Sequence, residues 1–166
     1  MKKILMAGLV LVAGFFQQGK AQNKAASAQL SPLLTHYYQL KDALISSNAT
    51  TAAAQADAFV KAAASVDMKS MPAADHNAYM PLSDKLVADA KGIAGTKDIS
   101  KQREYFKTLS DNIYTLAKAV SLSATPVYQE YCPMKKASWL SSSNAIKNPY
   151  FGNQMLTCGK VSDTIQ

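Results

Sequence analysis

Arginine is almost missing from this chain of 166 residues, with Arg103 its only instance. A patch of planar guanidinium forks, the usual grip on phosphate and base edges, is therefore excluded. The lysines are scattered singly apart from Lys2-Lys3 and Lys135-Lys136, so the formal charge of +7 concentrates nowhere and nucleic acid is not an expected partner. Long apolar runs are scarce too. The longest, Ile4 to Phe16, is too short to span a bilayer and nothing comparable follows it, so no membrane insertion is expected once a leader is removed. The seven glycines form no phosphate-cradling loop, no Gly-x-Ser-x-Gly elbow is present, and the eleven acids are spread without an obvious pair. Cys132 or Cys158 meeting His36 or His76 would be the one nucleophilic arrangement, and no spacing favours it. The chain reads as a non-enzyme.

What is present divides into three parts. Residues 1–22 have the layout of a secretory signal peptide: Lys2 and Lys3, an apolar stretch, then small and polar residues before a plausible cleavage point. No Cys lies there to carry a lipid anchor, so an exported, periplasmic protein is expected. Removing Lys2, Lys3 and Lys20 with the leader takes the charge from +7 to +4. Residues 23–166 are short enough to be one domain. Within them composition shifts near residue 123: 24 of the 27 Ala precede it, while Pro126, Pro133, Pro149, Trp139 and both Cys follow. A helical body over about 31–122 and an irregular Cys/Met-bearing segment over about 123–166 are expected.

Four helices are predicted from apolar spacing and capping residues. The first starts at Ser31, an N-cap with Pro32 in the first turn, and carries Leu33, Tyr37, Leu40 and Leu44 to about Ile45. The second, about Thr50 to Val66, is Ala-rich with Ala52, Ala56, Phe59 and Ala63 on one face. The third runs from about Ala73 to Ala94 with Tyr79, Leu82, Leu86, Ala90 and Ile93 in register, and Pro81 should kink it or delay its start. Asp98 caps a fourth, carrying Ile99, Phe106, Leu109, Ile113, Leu116 and Val120. Short connections make the simplest packing an all-α, four-helix up-and-down bundle with an irregular C-terminal segment docked on it.

The chemistry lies in that last segment. Cys132-Pro133-Met134 and Met155-Leu156-Thr157-Cys158 form a near-mirror pair of thiol and thioether. Thiolate and thioether are soft ligands that suit Cu(I). Met155 and Cys158 fit one face of a helical turn, and Pro133 holds Cys132 and Met134 in a turn or extended geometry. The competing reading is a Cys132–Cys158 disulfide, which exported proteins retain, with the methionines as ordinary packing residues. His36, beside the first helix's stripe, and His76, in the first turn of the third, are further candidate ligands, although each alone also suits a surface or capping role. Met68 and Met71 form another possible soft pair in a connection. Trp139 reads as an anchor for the segment.

The chain resembles domain-of-unknown-function family 3347. The resemblance is carried by His36-Tyr37-Tyr38-Gln39-Leu40-Lys41-Asp42-Ala43-Leu44, Asp75-His76, Lys101-Gln102-Arg103-Glu104, Cys132-Pro133-Met134, Trp139-Leu140-Ser141, Asn148-Pro149-Tyr150 and Met155-Leu156-Thr157-Cys158-Gly159. The family occurs in secreted proteins of Bacteroidetes type and at the C-terminus of periplasmic adaptors of copper/silver-class efflux pumps. Where members carry His before Phe106 or beside the first Cys, this chain has Tyr105 and Tyr131. The resemblance implies a periplasmic soft-metal binding or delivery protein linked to heavy-metal efflux, taking Cu(I), with Ag(I) or Zn(II) behind it. Its ligands would be Cys132 and Cys158 first, Met134 and Met155 second, then His76 and His36, and its partner a periplasmic efflux adaptor. The alternative is a structural or interaction module stapled by the disulfide.

Overall fold

A computed structural model describes the backbone of residues 19–165 and the side chains of residues 29–165. The leader expected over residues 1–22 lies outside the described residues, save the backbone of its last four. The described chain holds helices α1 (Gly19–Ile45), α2 (Ala49–Ala64), α3 (Ala73–Ala94) and α4 (Ile99–Ala119), followed by strands β1 (Val127–Cys132), β2 (Ala137–Ser141) and β3 (Lys160–Ile165). Each helix packs chiefly on its neighbours in sequence. No described helix is long and apolar enough to cross a membrane.

The apolar stripes read from the sequence are the buried faces. Leu33, Tyr37, Leu40 and Leu44 of α1 meet Ala52, Ala56 and Phe59 of α2, Leu86, Ala90 and Ile93 of α3, and Phe106, Leu109, Ile113 and Leu116 of α4 in one core, all fully buried. Each such Leu, Ile or Phe contributes about 1.5–3 kcal/mol by leaving water. Helix ends follow local chemistry. Asn48 Oδ1 accepts the Thr51 N–H at 3.0 Å to start α2, and Asp98 Oδ1 accepts the Ser100 N–H at 2.9 Å to start α4.

Three expectations need correction. The first helix begins upstream of Ser31, and Pro32 lies inside it, because buried Leu30 extends the apolar stripe one turn toward the N-terminus. Pro81 does not delay α3, which starts at Ala73. Its ring and Asn77, whose carbonyl loses a partner, both lie on the exposed face, where water replaces the missing bond. The C-terminal segment is not irregular throughout. It forms a three-stranded antiparallel sheet in the order β2-β1-β3, so the fold is a helical bundle with a small docked sheet. Ser162 is the extra residue of a bulge opposite Gln129 and Glu130, and its hydroxyl donates to the Gln129 carbonyl at 3.1 Å.

The sheet is fastened to the bundle by aromatic and polar contacts. Tyr37 of α1 stacks on Phe106 of α4 with ring centroids 5.2 Å apart, Phe106 meets Tyr150 at 5.8 Å, and Tyr150 meets Trp139 of β2 at 6.0 Å. The Tyr37 hydroxyl accepts the Leu140 N–H of β2 at 2.9 Å and bonds Ser110 Oγ at 2.7 Å, so a buried hydroxyl serves as the joint between helix and sheet. Arg103 of α4 supplies a second joint. Its Nε donates to the Pro149 carbonyl at 2.8 Å, and Nη2 donates to the Leu44 carbonyl at 3.0 Å and to Ser47 Oγ at 3.1 Å. Ser47 holds φ 54° where glycine is usual after a helix, and its hydroxyl is one of those ligands.

Gly152 shows how closely the segment is seated. It holds φ +55°, and a Cβ there would lie 2.7 Å from the Ile45 carbonyl oxygen and 3.1 Å from Arg103 Nη2. Gly152→Ala is therefore expected to destabilise the protein by about 1–3 kcal/mol in urea unfolding. Gly92→Ala should cost less than half as much. Its Cβ would press first on the Tyr105 ring, a half-exposed side chain able to swing away. Equal losses at the two positions would contradict this account.

Candidate functional site

Strand β1 ends at Cys132, whose side chain faces the core and is fully buried. The turn Pro133-Met134-Lys135-Lys136 reverses the chain into β2, with Lys136 at φ 51°. Pro133 has no N–H to offer the Cys132 sulfur. On the other side, residues 148–158 fold back over the hairpin. The Asn148 carboxamide donates to the Cys158 carbonyl at 2.7 Å, and the Cys158 N–H donates to the Met155 carbonyl at 3.0 Å. The two sulfurs stand 3.5 Å apart as free thiols. A Cβ on Gly159 would lie 2.9 Å from Trp139 Cη2, so the indole forms the floor beneath the chain that carries Cys158.

The environment makes the thiols unequal. Burial works against charge on Cys132, but the Lys135 N–H, the Asn148 amide, the Cys158 thiol and the Met134 N–H together outweigh it and hold Cys132 below the ordinary thiol range. Cys158 is pushed up by its hydrogen bond to Cys132, by burial and by the charge on that neighbour. The two thiols are coupled, so the first proton leaves the pair more readily than the second.

The other candidate residues are dispersed. Met134 lies in the hairpin turn and is 68% exposed. Met155 is half-buried and joins the site through its carbonyl. His36 sits in the seam of α1 and α2, with Nδ1 3.2 Å from both Gln39 Oε1 and Gln55 Oε1. His76 is half-buried in the first turn of α3. Met71 is buried against the core and Met68 is exposed. Among the described residues, no three His, Cys, Asp or Glu side chains converge as a metal-ligand group.

Two residues at the site are invisible to motif reasoning. Asn148 reads from sequence as part of the Asn148-Pro149-Tyr150 motif, with no sign of the 2.7 Å bond by which it holds the Cys158 carbonyl. Glu130 lies two residues before Cys132 on the same buried face of β1, fully buried, opposite Trp139. Neither carboxylate oxygen has a well-aligned partner, nor does the Trp139 indole nitrogen. Burial lifts the Glu130 carboxyl to about 7, with Lys41, the Trp139 indole and the Lys147 backbone opposing only in part. No periodic signal marks such a residue.

The profile of a family described as a protein of unknown function (DUF3347) matches residues 33–125, more than half of the chain, and the chain belongs to that family. The match covers the helical body and ends before β1, so both thiols lie beyond it. No curated protein and no solved structure matches.

Glu130 gives a testable pH dependence. Its folded carboxyl titrates near 7 and its unfolded one near 4.5, so the folded state holds the extra proton between these values. Its contribution to stability is accordingly greatest at low pH and lost as pH rises through 4.5 to 7. Glu130→Gln should raise stability at pH 8 on the order of 2 kcal/mol relative to its effect at pH 4.5, measured by urea unfolding across pH. A difference that does not vary with pH would contradict the assignment.

Proposed function

We propose that the chain is an exported, non-catalytic protein that binds a soft metal ion, Cu(I) or Ag(I) before Zn(II), and delivers it to a periplasmic adaptor of a heavy-metal efflux pump. The observation that carries this reading is the pair of free thiols 3.5 Å apart, one of them held toward thiolate by neighbouring N–H groups. A thiolate binds soft ions, and prepaying part of its deprotonation favours capture near neutral pH. Zn(II) ordinarily takes four ligands, three of them protein groups even at an open site. Two convergent thiols match the smaller coordination needs of a monovalent soft ion better.

Cys132 and Cys158 are the primary ligands in this reading. Met134 and Met155 are exchangeable secondary ones: the exposed Met134 thioether has the freedom to close on an ion held at the sulfurs and to release it to a partner. His36 and His76, each on a helix of the bundle, are not required. The link to efflux rests on the family resemblance.

The same separation favours a second reading, a disulfide staple. The sulfurs need to close only from 3.5 Å to a bond length of about 2.05 Å. Joining residues 26 apart would stabilise the fold by about 3.5 kcal/mol on the chain-entropy estimate. The protein would then serve as a structural or interaction module.

Thiol counting on protein isolated from the exporting compartment, followed by Cu(I) titration against a competing chelator, separates the two. The metal reading predicts two titratable thiols and one equivalent bound tightly. Cys132→Ser and Cys158→Ser should each weaken binding by more than about a hundredfold, beyond the usual effect of an outer-shell change, and Met134→Leu or Met155→Leu by about tenfold. A fully oxidised pair that takes up no Cu(I) after reduction would establish the staple instead.

A further inference from the structure

We propose that Cys158 is a site of reversible thiol–disulfide exchange with small disulfides that carry carboxylates, and that Cys132 is the resolving thiol behind it. Both are free thiols, and their sulfurs stand 3.5 Å apart. They differ in access. Cys132 ends β1 with its side chain in the core and has no exposed surface, whereas Cys158 is partly exposed. Exchange requires the attacking sulfur to line up with a sulfur of the incoming disulfide, which a sulfur closed to outside molecules cannot do. Access therefore sets the order, with Cys158 first and Cys132 second.

The surroundings of Cys158 select the disulfide. Residues 131–162 contain Lys135, Lys136, Lys147 and Lys160 and neither Asp nor Glu. Lys160 stands two residues after Cys158 and pairs across the ladder with Tyr131, the residue before Cys132. Lys135 and Lys136 belong to the turn that follows Cys132, and Lys147 precedes Asn148, whose carboxamide bonds the Cys158 carbonyl. Lys135 is matched by Glu104 of α4 at 2.7 Å. Lys136, Lys147 and Lys160 are exposed and form no ion pair among the described residues. The acids flanking this stretch are engaged elsewhere: Glu130 is fully buried, and Asp163 is held by Lys118 Nζ at 2.9 Å and by the Tyr114 hydroxyl at 2.7 Å. The chain on either side of the accessible thiol is thus positive, which raises the local concentration of an anionic reactant.

The steps balance. The Cys158 sulfur, its proton released to water, attacks one sulfur of R–S–S–R; that S–S bond breaks, Cys158–S–S–R forms, and R–S⁻ leaves with the electron pair. Cys132, likewise deprotonated, attacks the Cys158 sulfur beside it, forms the Cys132–Cys158 disulfide and expels the second R–S⁻. The two leaving thiolates take up the two protons. The protein is oxidised by two electrons, and R–S–S–R is reduced to two R–S–H. In reverse, R–S⁻ attacks the accessible Cys158 sulfur. Because the same sulfurs are the ligands of the metal reading proposed above, the closed state holds no soft ion; that consequence rests on that reading, and the exchange does not.

The test uses the full chain, reduced and free of metal, with glutathione disulfide as the anionic probe and cystamine as the cationic one. Reactions are quenched by alkylation and read by mass and peptide map. In the wild type the first adduct is expected on Cys158, giving way to the Cys132–Cys158 disulfide, which excess reduced glutathione reopens. In Cys132→Ala the adduct should persist. In Cys158→Ala the remaining thiol waits on local opening and should react about tenfold more slowly or less. Salt at about 1 M, where the Debye length is about 3 Å, should slow glutathione disulfide about threefold and leave cystamine no slower. A first adduct on Cys132, an adduct on Cys158 that never resolves, a closed disulfide that glutathione fails to reopen, or the same salt dependence for both probes would each overturn the proposal. All four are read on the wild type, so they stand even if a variant fails to fold. Preloading one equivalent of Ag(I) separates the two readings: protection from exchange supports both, and unchanged exchange upholds the Cys158 site while removing the metal reading.

Discussion

The guanidinium of Arg103 is the contact on which the rest of the site depends. It joins the Leu44 carbonyl at the end of α1 and the Ser47 hydroxyl in the turn that follows to the Pro149 carbonyl of the returning segment. Pro149 is next to Asn148, and Asn148 holds Cys158. A chain of directional bonds therefore runs from the rigid bundle to the second thiol, while the first thiol is placed by β1, whose hairpin partner β2 the Tyr37 hydroxyl and the aromatic row hold against the bundle. A fork with several donors in fixed directions can serve three acceptors at once where an ammonium on a flexible stem would not. The one arginine of the chain is spent on docking, which gives physical content to the scarcity noted at the outset.

The helical body was legible in the sequence because its forces are periodic. Leu33, Tyr37, Leu40 and Leu44, or Phe106, Leu109, Ile113 and Leu116, repeat at the helical spacing and are buried accordingly. The caps at Asp98 and at Asn48 are local as well. The sheet was not legible. Strand β1 places Glu130 on its buried face, against the usual alternation, and β3 is an edge strand interrupted by a bulge with most of its residues exposed. Of the two readings of Pro81, the delayed start is the one removed, since an interior proline is tolerable when the carbonyl it orphans is exposed.

The same division holds at the site. Two sulfurs were identifiable by element and spacing, and the structure brings those two together. Met134 and Met155 are close in sequence to the thiols but differ from them in placement: a hairpin tip projects one thioether outward, and the other residue contributes its main chain. Asn148 and Arg103 act through single directional bonds between segments distant in sequence, a kind of contact that leaves no pattern within either segment. Glu130 adds an unrelieved cost beside the site, a carboxyl whose burial no partner fully offsets. The family match covers the bundle, and both thiols lie beyond its end.

The central claim is that the bundle and its docked segment preform a sulfur site for a soft ion. X-ray absorption at the copper edge, on full-length protein loaded with one equivalent of Cu(I), addresses it directly. The account predicts a first shell of sulfur alone, with the two thiolates of Cys132 and Cys158 and at most a thioether beside them. A shell containing nitrogen or oxygen ligands, or one unchanged in the Cys132→Ser, Cys158→Ser double variant, would contradict it.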